Sequence, residues 1–306
     1  MKKLLIGGII LLFLFDMFRA KAVASGKQES CSRTSFQIAV KQPVSLKDKP
    51  STGASAVAII PDKTILNVME RIGSWYKVCR SNSVAYTEMK TAREIYSANE
   101  AMVFAKFKNR PKTGQVMTAI GKTASGTTAK VNTYVKLYGE WRRSLNQMDA
   151  VLGYNGFSSA KREGDGATPA GIYKLGTVFG TGVKPPGVKM YYKRAGKYDY
   201  WVDDPASPDY NKWVTYSGDP KRKWRSFERM NQPLYKYGMV IEYNRNPIIK
   251  NKGSAIFLHT WKGPASKTAG CVALSETNLI TLLKWFDPKQ QPAIVMGTYS
   301  QLKTIQ

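Results

Sequence analysis

Ala255-Ile256-Phe257-Leu258-His259 is an apolar run that ends in a histidine, and twelve residues later Thr268-Ala269-Gly270-Cys271-Val272-Ala273-Leu274-Ser275 sets a cysteine beside a glycine. The first segment reads as a buried strand and the glycine as a tight turn. Ser275 then caps a helix whose Leu279, Ile280, Leu283 and Phe286 lie on one face and which Pro288 ends. Strand, loop, turn and capped helix form one unit, so the histidine and the cysteine can meet across a single loop. The pairing carries weight because the 306 residues contain one histidine and three cysteines. Any mechanism that needs an imidazole must use His259.

Outward from this unit, the signals are mostly β with many turns. Gly114–Ile120, Val131–Tyr138, Met239–Tyr243 and Ala293–Gly297 read as strands, and Asn155-Gly156, Asp165-Gly166 and Pro185-Pro186-Gly187 as turns. Toward the N-terminus, Ser35–Val40, Ala56–Ile60, Thr64–Glu70 and Trp75–Cys79 are short strands of a small barrel, and Thr87–Met102 has the spacing of a helical linker. The expected organisation is a barrel at 31–90, a linker at 91–102 and a larger β unit at 103–300.

Residues 1–24 read as a secretory signal peptide: Lys2 and Lys3, a twelve-residue run from Leu4 to Phe15, and Ala22-Val23-Ala24 at a peptidase spacing. The run is too short to span ~30 Å of hydrocarbon, so no transmembrane segment is expected after cleavage, and the site of action is the periplasm or cell envelope. In an oxidising compartment Cys31 and Cys79 are expected to bridge and staple the barrel, which leaves Cys271 as the odd thiol. As a small core residue it would be unremarked; with the only histidine at hand, it becomes a candidate nucleophile activated by an imidazole, with main-chain N–H groups near Gly270 open to an oxyanion.

Scattered cysteines and a lone histidine exclude zinc clusters of the Cys/His kind, and no metal or cofactor is expected. Asp203 and Asp204 are adjacent on an extended chain and point apart, so they cannot flank one glycosidic bond. The net charge of +26 falls to +23 without residues 1–24. Inside a cell that charge would first raise nucleic acid; outside it, the polyanions are an anionic cell-wall surface, lipopolysaccharide or lipid headgroups, and no nucleic-acid partner is expected. A solvated basic face explains the same charge.

Four separated segments carry a family resemblance: Lys161-Arg162-Glu163-Gly164-Asp165-Gly166-Ala167-Thr168-Pro169-Ala170-Gly171-Ile172-Tyr173, Tyr200-Trp201-Val202-Asp203-Asp204-Pro205, Gly253 to His259, and Thr268 to Leu274. Together they resemble the L,D-transpeptidase catalytic domain of the YkuD type. The resemblance implies a β-sandwich with few helices, Cys271 as nucleophile, His259 as base, Gly270 and Cys271 N–H groups at the oxyanion, and peptidoglycan stem peptides as substrate. The pattern departs where many members carry a second histidine and an arginine: here Ala269 and Ala273 stand two residues either side of the cysteine. Arg162 is therefore the expected carboxylate-binding residue, with Thr268 the other candidate for substrate contact. Ahead of this domain, the turn at Gly73-Ser74 before Trp75-Tyr76-Lys77-Val78 resembles the bacterial SH3 domain, although Ala85-Tyr86 replaces the usual Gly-Trp. The same site resolved by water would be an L,D-carboxypeptidase, and a protein whose two domains only anchor to peptidoglycan is the non-enzymatic alternative.

Overall fold

A computed structural model describes Cys31 and residues 35–305, so the expected signal peptide lies outside the described residues. The chain divides into two units, Met1–Ala92 and Arg93–Gln306, and both are mainly β. No described helix is long and apolar enough to cross a membrane.

The first unit is built on a seven-stranded sheet in the order Ala56–Ile60, Val44–Lys47, Ser83–Glu88, Trp75–Arg80, Ile65–Ile72, Phe36–Val40 and Ala92–Glu94, the first six of them paired antiparallel. Alternation does the work along these strands: in Ile65–Ile72, Leu66 and Val68 are buried while Ile65 and Asn67 face out. Ile38, Leu46, Ile60, Tyr76 and Val78 complete a small core. Gly73, at φ +56°, makes the turn into the Trp75 strand. Cys31 and Cys79 are disulfide-bonded across 48 residues of sequence. Closing a loop of that length stabilises by roughly 4 kcal/mol in the chain-entropy model, a large share for so small a core. Reduction is expected to lower the midpoint of the first unit's denaturant transition and leave that of the second unchanged, a difference that domain-resolved hydrogen exchange reads directly.

The second unit is a ten-stranded sheet that curls until its ends meet. Nine strands form its path, Glu140–Arg143, Thr128–Leu137, Met148–Val151, Val272–Leu274, Phe257–Thr260, Gly238–Ile241, Gly171–Gly180, Ala293–Gly297 and Gln115–Ile120, and the last pairs back onto Thr128–Leu137, while the tenth, Tyr192–Arg194, pairs with Gly171–Gly180 off this path. Met117, Val131, Leu152, Leu258, Val272, Leu274 and Ile294 fill the interior. The helix Glu276–Trp285 closes it with Leu279, Leu282 and Leu283, and Ser275 Oγ accepts from Asn278 N–H at its start. A separate three-stranded sheet of Lys212–Thr215, Asp199–Val202 and Phe227–Arg229 stands beside the main one.

The strand positions agree with the sequence reading to within a few residues. The linker does not. Residues 87–102 end a strand, make a short 3-10 turn, form Ala92–Glu94 and only then start the helix Ala98–Ala105, whose Val103 packs with Val116, Val295 and Leu302. Helical spacing is there, but Ser97 begins a capping box with Glu100 and stops the helix from reaching further back.

Candidate active site

The histidine strand Phe257–Thr260 and the cysteine strand Val272–Leu274 are parallel neighbours, with Leu258 opposite Val272 and His259 opposite Ala273. Side chains alternate, so Leu258 and Val272 enter the core while Phe257, His259, Cys271 and Ala273 share the outer face. The eleven residues between Thr260 and Val272 form no helix; a loop that ends in the Gly270 turn makes the parallel crossover.

That turn is tightly built. Gly270 has φ +147°, and a Cβ there would lie 2.9 Å from the Ala167 carbonyl oxygen and 3.2 Å from Ile256 Cδ1. Its N–H donates to Thr268 Oγ1 at 3.1 Å, and Thr268 Oγ1 donates to the Cys271 carbonyl at 2.7 Å. Ala167 belongs to the Lys161–Tyr173 segment, which is held by its own ion pair: Lys161 Nζ lies 2.5 Å from Asp165 Oδ1, and Asp165 also accepts from the Arg162 and Ala167 N–H groups. Burial alone would raise the Asp165 carboxyl, yet the Lys161 bond and these backbone donors hold it below its ordinary range. The segment quoted above as a motif is thus the bed on which the cysteine turn rests. Gly270→Ala is expected to destabilise by about 1–3 kcal/mol, from strain and contact together, read as a lower denaturant midpoint; an unchanged midpoint would contradict the role given to the turn.

Cys271 is the free cysteine and is buried. Its Sγ donates to the Ala255 carbonyl at 3.3 Å and accepts from the Phe257 N–H at 3.4 Å. Ala255 takes a left-handed φ of +53°, unusual for a residue with a Cβ, and is pinned there by Asn211 Oδ1, which accepts its N–H at 3.2 Å. Burial drives the thiol well above its ordinary pKa, and the Glu228 charge adds to this against the Phe257 N–H and Lys161. His259 Nδ1 lies 2.8 Å from the Thr260 carbonyl. A carbonyl only accepts, so Nδ1 carries the proton and Nε2 is left with a lone pair. Burial lowers the His259 pKa, with the Thr260 bond opposing. The resting pair is therefore thiol and neutral imidazole, with Nε2 in the state that can accept a proton.

Both residues open into one cavity of about 220 Å³, walled also by Glu228, Tyr235, Trp261 and Ala273. Tyr235 meets His259 edge to face at 5.5 Å between ring centres and donates its hydroxyl to Glu228. Glu228 is pushed up to about 7, first by burial and then by the nearby Asp203 and Glu163 charges, against the Tyr235 bond. Asp203 is raised as well, mainly by burial, whereas Asp204 caps a turn through the Ala206 and Arg225 N–H groups. The adjacent carboxylates thus have unrelated surroundings, as extended backbone requires.

The structure brings Cys271, His259 and Gly270 together, with Thr268 at the cavity wall. The Thr268 hydroxyl is engaged within the turn, and an oxyanion at the Gly270 N–H would have to displace it. Arg162 is exposed and does not line the cavity; its backbone, through the N–H bond to Asp165, is what the loop uses. Sequence reasoning missed Glu228 and Tyr235, which come from the three-stranded sheet and the 3-10 turn after it. The signal was weak: a lone glutamate in a stretch rich in lysine and arginine.

The L,D-transpeptidase catalytic domain family, YkuD, matches residues 126–295. The chain belongs to this family. Every element of the cysteine turn and its bed falls inside the matched range. Among solved structures, the helical cell shape determining protein Pgp2 from Campylobacter jejuni is similar at 18% identity and a TM-score of 0.33, over 60% of this chain and 48% of that one. The chain thus spans about half the length of that protein. No curated protein matches.

Proposed function

We propose that this YkuD-family protein is an exported cysteine L,D-transpeptidase that acts on peptidoglycan stem peptides through a Cys271 thioester. The observation that carries the reading is the pairing of the free cysteine and the sole histidine on one face of adjacent parallel strands, open to a common cavity. In the first half-reaction the Cys271 S–H proton passes to His259 Nε2 as Sγ attacks the carbonyl of the third stem residue. The tetrahedral intermediate then expels the terminal D-alanine, whose amine takes the proton back from His259, and leaves a thioester. In the second, an acceptor amine gives a proton to His259 and attacks the thioester; the new amide forms as the thiolate departs and is reprotonated. Water in place of the amine gives a free carboxylate, the L,D-carboxypeptidase outcome.

Three features support export and wall contact: the basic, apolar and small-residue succession of residues 1–24, the Cys31–Cys79 disulfide, and a charge that is still +23 without residues 1–24 and suits an anionic cell wall. The N-terminal barrel is read as a bacterial SH3 module that anchors the enzyme to that surface. The test is mass spectrometry of disaccharide tetrapeptides after incubation with purified protein. Dimers, or monomers lacking one D-alanine, support the reading and tell the two outcomes apart. No new product, with binding to sacculi retained, would make it an anchoring protein.

A further inference from the structure

Two more hollows lie on the face of the sheet that carries Cys271, and the strand register shows that they continue its cavity. Opposite His259 is Ala273, opposite Ala273 is Val151, and opposite Val151 is Thr128. One step along the same strands, Asp149 faces Lys130 and Lys130 faces Ile120. Paired residues point to the same side, and so do residues two apart. Thr128, Asp149, Lys130, Asn132 and Ile120 therefore share the outer face with His259 and Cys271. Trp261 walls both the cysteine cavity and a hollow of about 320 Å³. Ile120, Lys122 and Lys130 in turn wall both that hollow and one of about 680 Å³, which reaches Tyr299.

We propose that this chain of hollows is a track that holds the glycan strand to which the donor stem is attached. The inference rests on the stem-peptide reading above and adds where the rest of the polymer goes. Four strand spacings, about 19 Å measured along the curled sheet, separate the histidine strand from Gln115–Ile120. Three stem residues from the sugar to the reacting carbonyl span only about 10 Å when extended. The far hollow lies beyond the reach of the donor stem, so what enters it is the chain of N-acetylated amino sugars that bears the stem.

The lining suits sugars as well. Gln147 Nε2 donates to Asn132 Oδ1 at 3.0 Å, which leaves an acceptor on Gln147 and donors on Asn132 for hydroxyl and acetamido groups. Trp261 and Tyr299 offer ring surfaces at the two ends of the track. Lys130 is paired with Asp149 at 2.5 Å. Lys122, exposed at the junction of the two larger hollows, has no ion-pair partner among the described residues and can donate to the hydroxyl and acetamido oxygens of the sugars.

Glycan strands freed of stem peptides are the probe, with binding to Cys271→Ala protein read by calorimetry. Binding should weaken tenfold or more in a Lys122→Ala/Asn132→Ala/Gln147→Ala variant, and by less in Lys122→Ala alone. In the active protein the triple change should raise KM for disaccharide tetrapeptide about tenfold, with kcat and the turnover of sugar-free tetrapeptide within twofold. Glycan strands that fail to bind the Cys271→Ala protein, or that bind the triple variant equally well, overturn the track. So does an equal loss on sugar-free peptide. A protein that turns over neither substrate but binds glycan in this lysine- and amide-dependent way keeps the track and loses the transpeptidase reading.

Discussion

Replacement of Cys271 by alanine is expected to abolish release of D-alanine and formation of cross-links, by on the order of 10⁴- to 10⁶-fold in kcat. The size follows from the arithmetic of the site. On the proposed mechanism no covalent acyl intermediate forms without Sγ, and His259 has no partner to deprotonate. Replacement of His259 by glutamine should cost nearly as much, because a thiol pushed far above its ordinary pKa by burial ionises negligibly at neutral pH unless a base takes the proton as attack occurs. The two losses are not additive: a double variant should be no slower than Cys271→Ala within error, since both residues serve one step. Cys271→Ala should keep its Tm within a few degrees, the change being from one small buried side chain to another. Residual turnover in Cys271→Ala above a hundredth of wild type would place the nucleophile elsewhere. A thiol titration under denaturing, non-reducing conditions should find one sulfhydryl in wild type and none in the variant, which separates the disulfide from the nucleophile in the same preparation.

Replacement of Glu228 by glutamine is expected to raise the resting reactivity of Cys271 and to stabilise the fold above neutral pH. Burial and the neighbouring carboxylates lift Glu228 to about 7 from its ordinary 4.5. A folded-state pKa above the unfolded one means that the native protein holds the proton longer. Stability is therefore lost as pH rises from about 4.5 to about 7, up to on the order of 3 kcal/mol. Glutamine, which can still accept the Tyr235 hydroxyl, carries no such penalty. His259 works in the opposite direction. Burial lowers its pKa, so folding stability falls as pH drops below its ordinary value of about 6.5, and only the difference between variant and wild type isolates Glu228. That difference in denaturant midpoint should be near zero at pH 4.5 and favour the variant at pH 8. Because the Glu228 charge is one of the forces that raise the thiol pKa, iodoacetamide should modify Cys271 several-fold faster in Glu228→Gln at pH 8, with the alkylation profile displaced to lower pH. An unchanged profile would mean that the carboxylate does not act on the thiol.

The helix after the cysteine shows how much of the fold was legible. Ser275, the apolar face from Leu279 to Phe286 and Pro288 are local signals, and the helix Glu276–Trp285 follows them to the residue at its cap. The strand Ala293–Gly297 was equally plain, being a buried run between a proline and the Thr298 cap of the final helix. Thr87–Met102 misled because its helical spacing continues through a strand end and a 3-10 turn that pair elsewhere; hydrogen bonding with distant strands overrode the local pattern. Arg162 was chosen for its motif, and the structure places it away from the cavity wall. The motif around it is structural, and its side chain is exposed while its backbone braces Asp165.

Sequence by itself determined the chemistry available: one histidine, one unpaired thiol, and a glycine turn between strand and helix that brings them near. These are matters of count, spacing and local backbone preference, which a linear text records. Only the tertiary structure decided how the pair is tuned and what lies next to it. Glu228 and Tyr235 reach the cavity from a sheet that sequence does not connect to the cysteine turn, the Ala167 carbonyl fixes the turn from a loop a hundred residues earlier, and Trp261 joins the cavity to the hollows beyond. Burial and field act through space, so the residues that set the state of the thiol are neighbours in three dimensions and strangers along the chain.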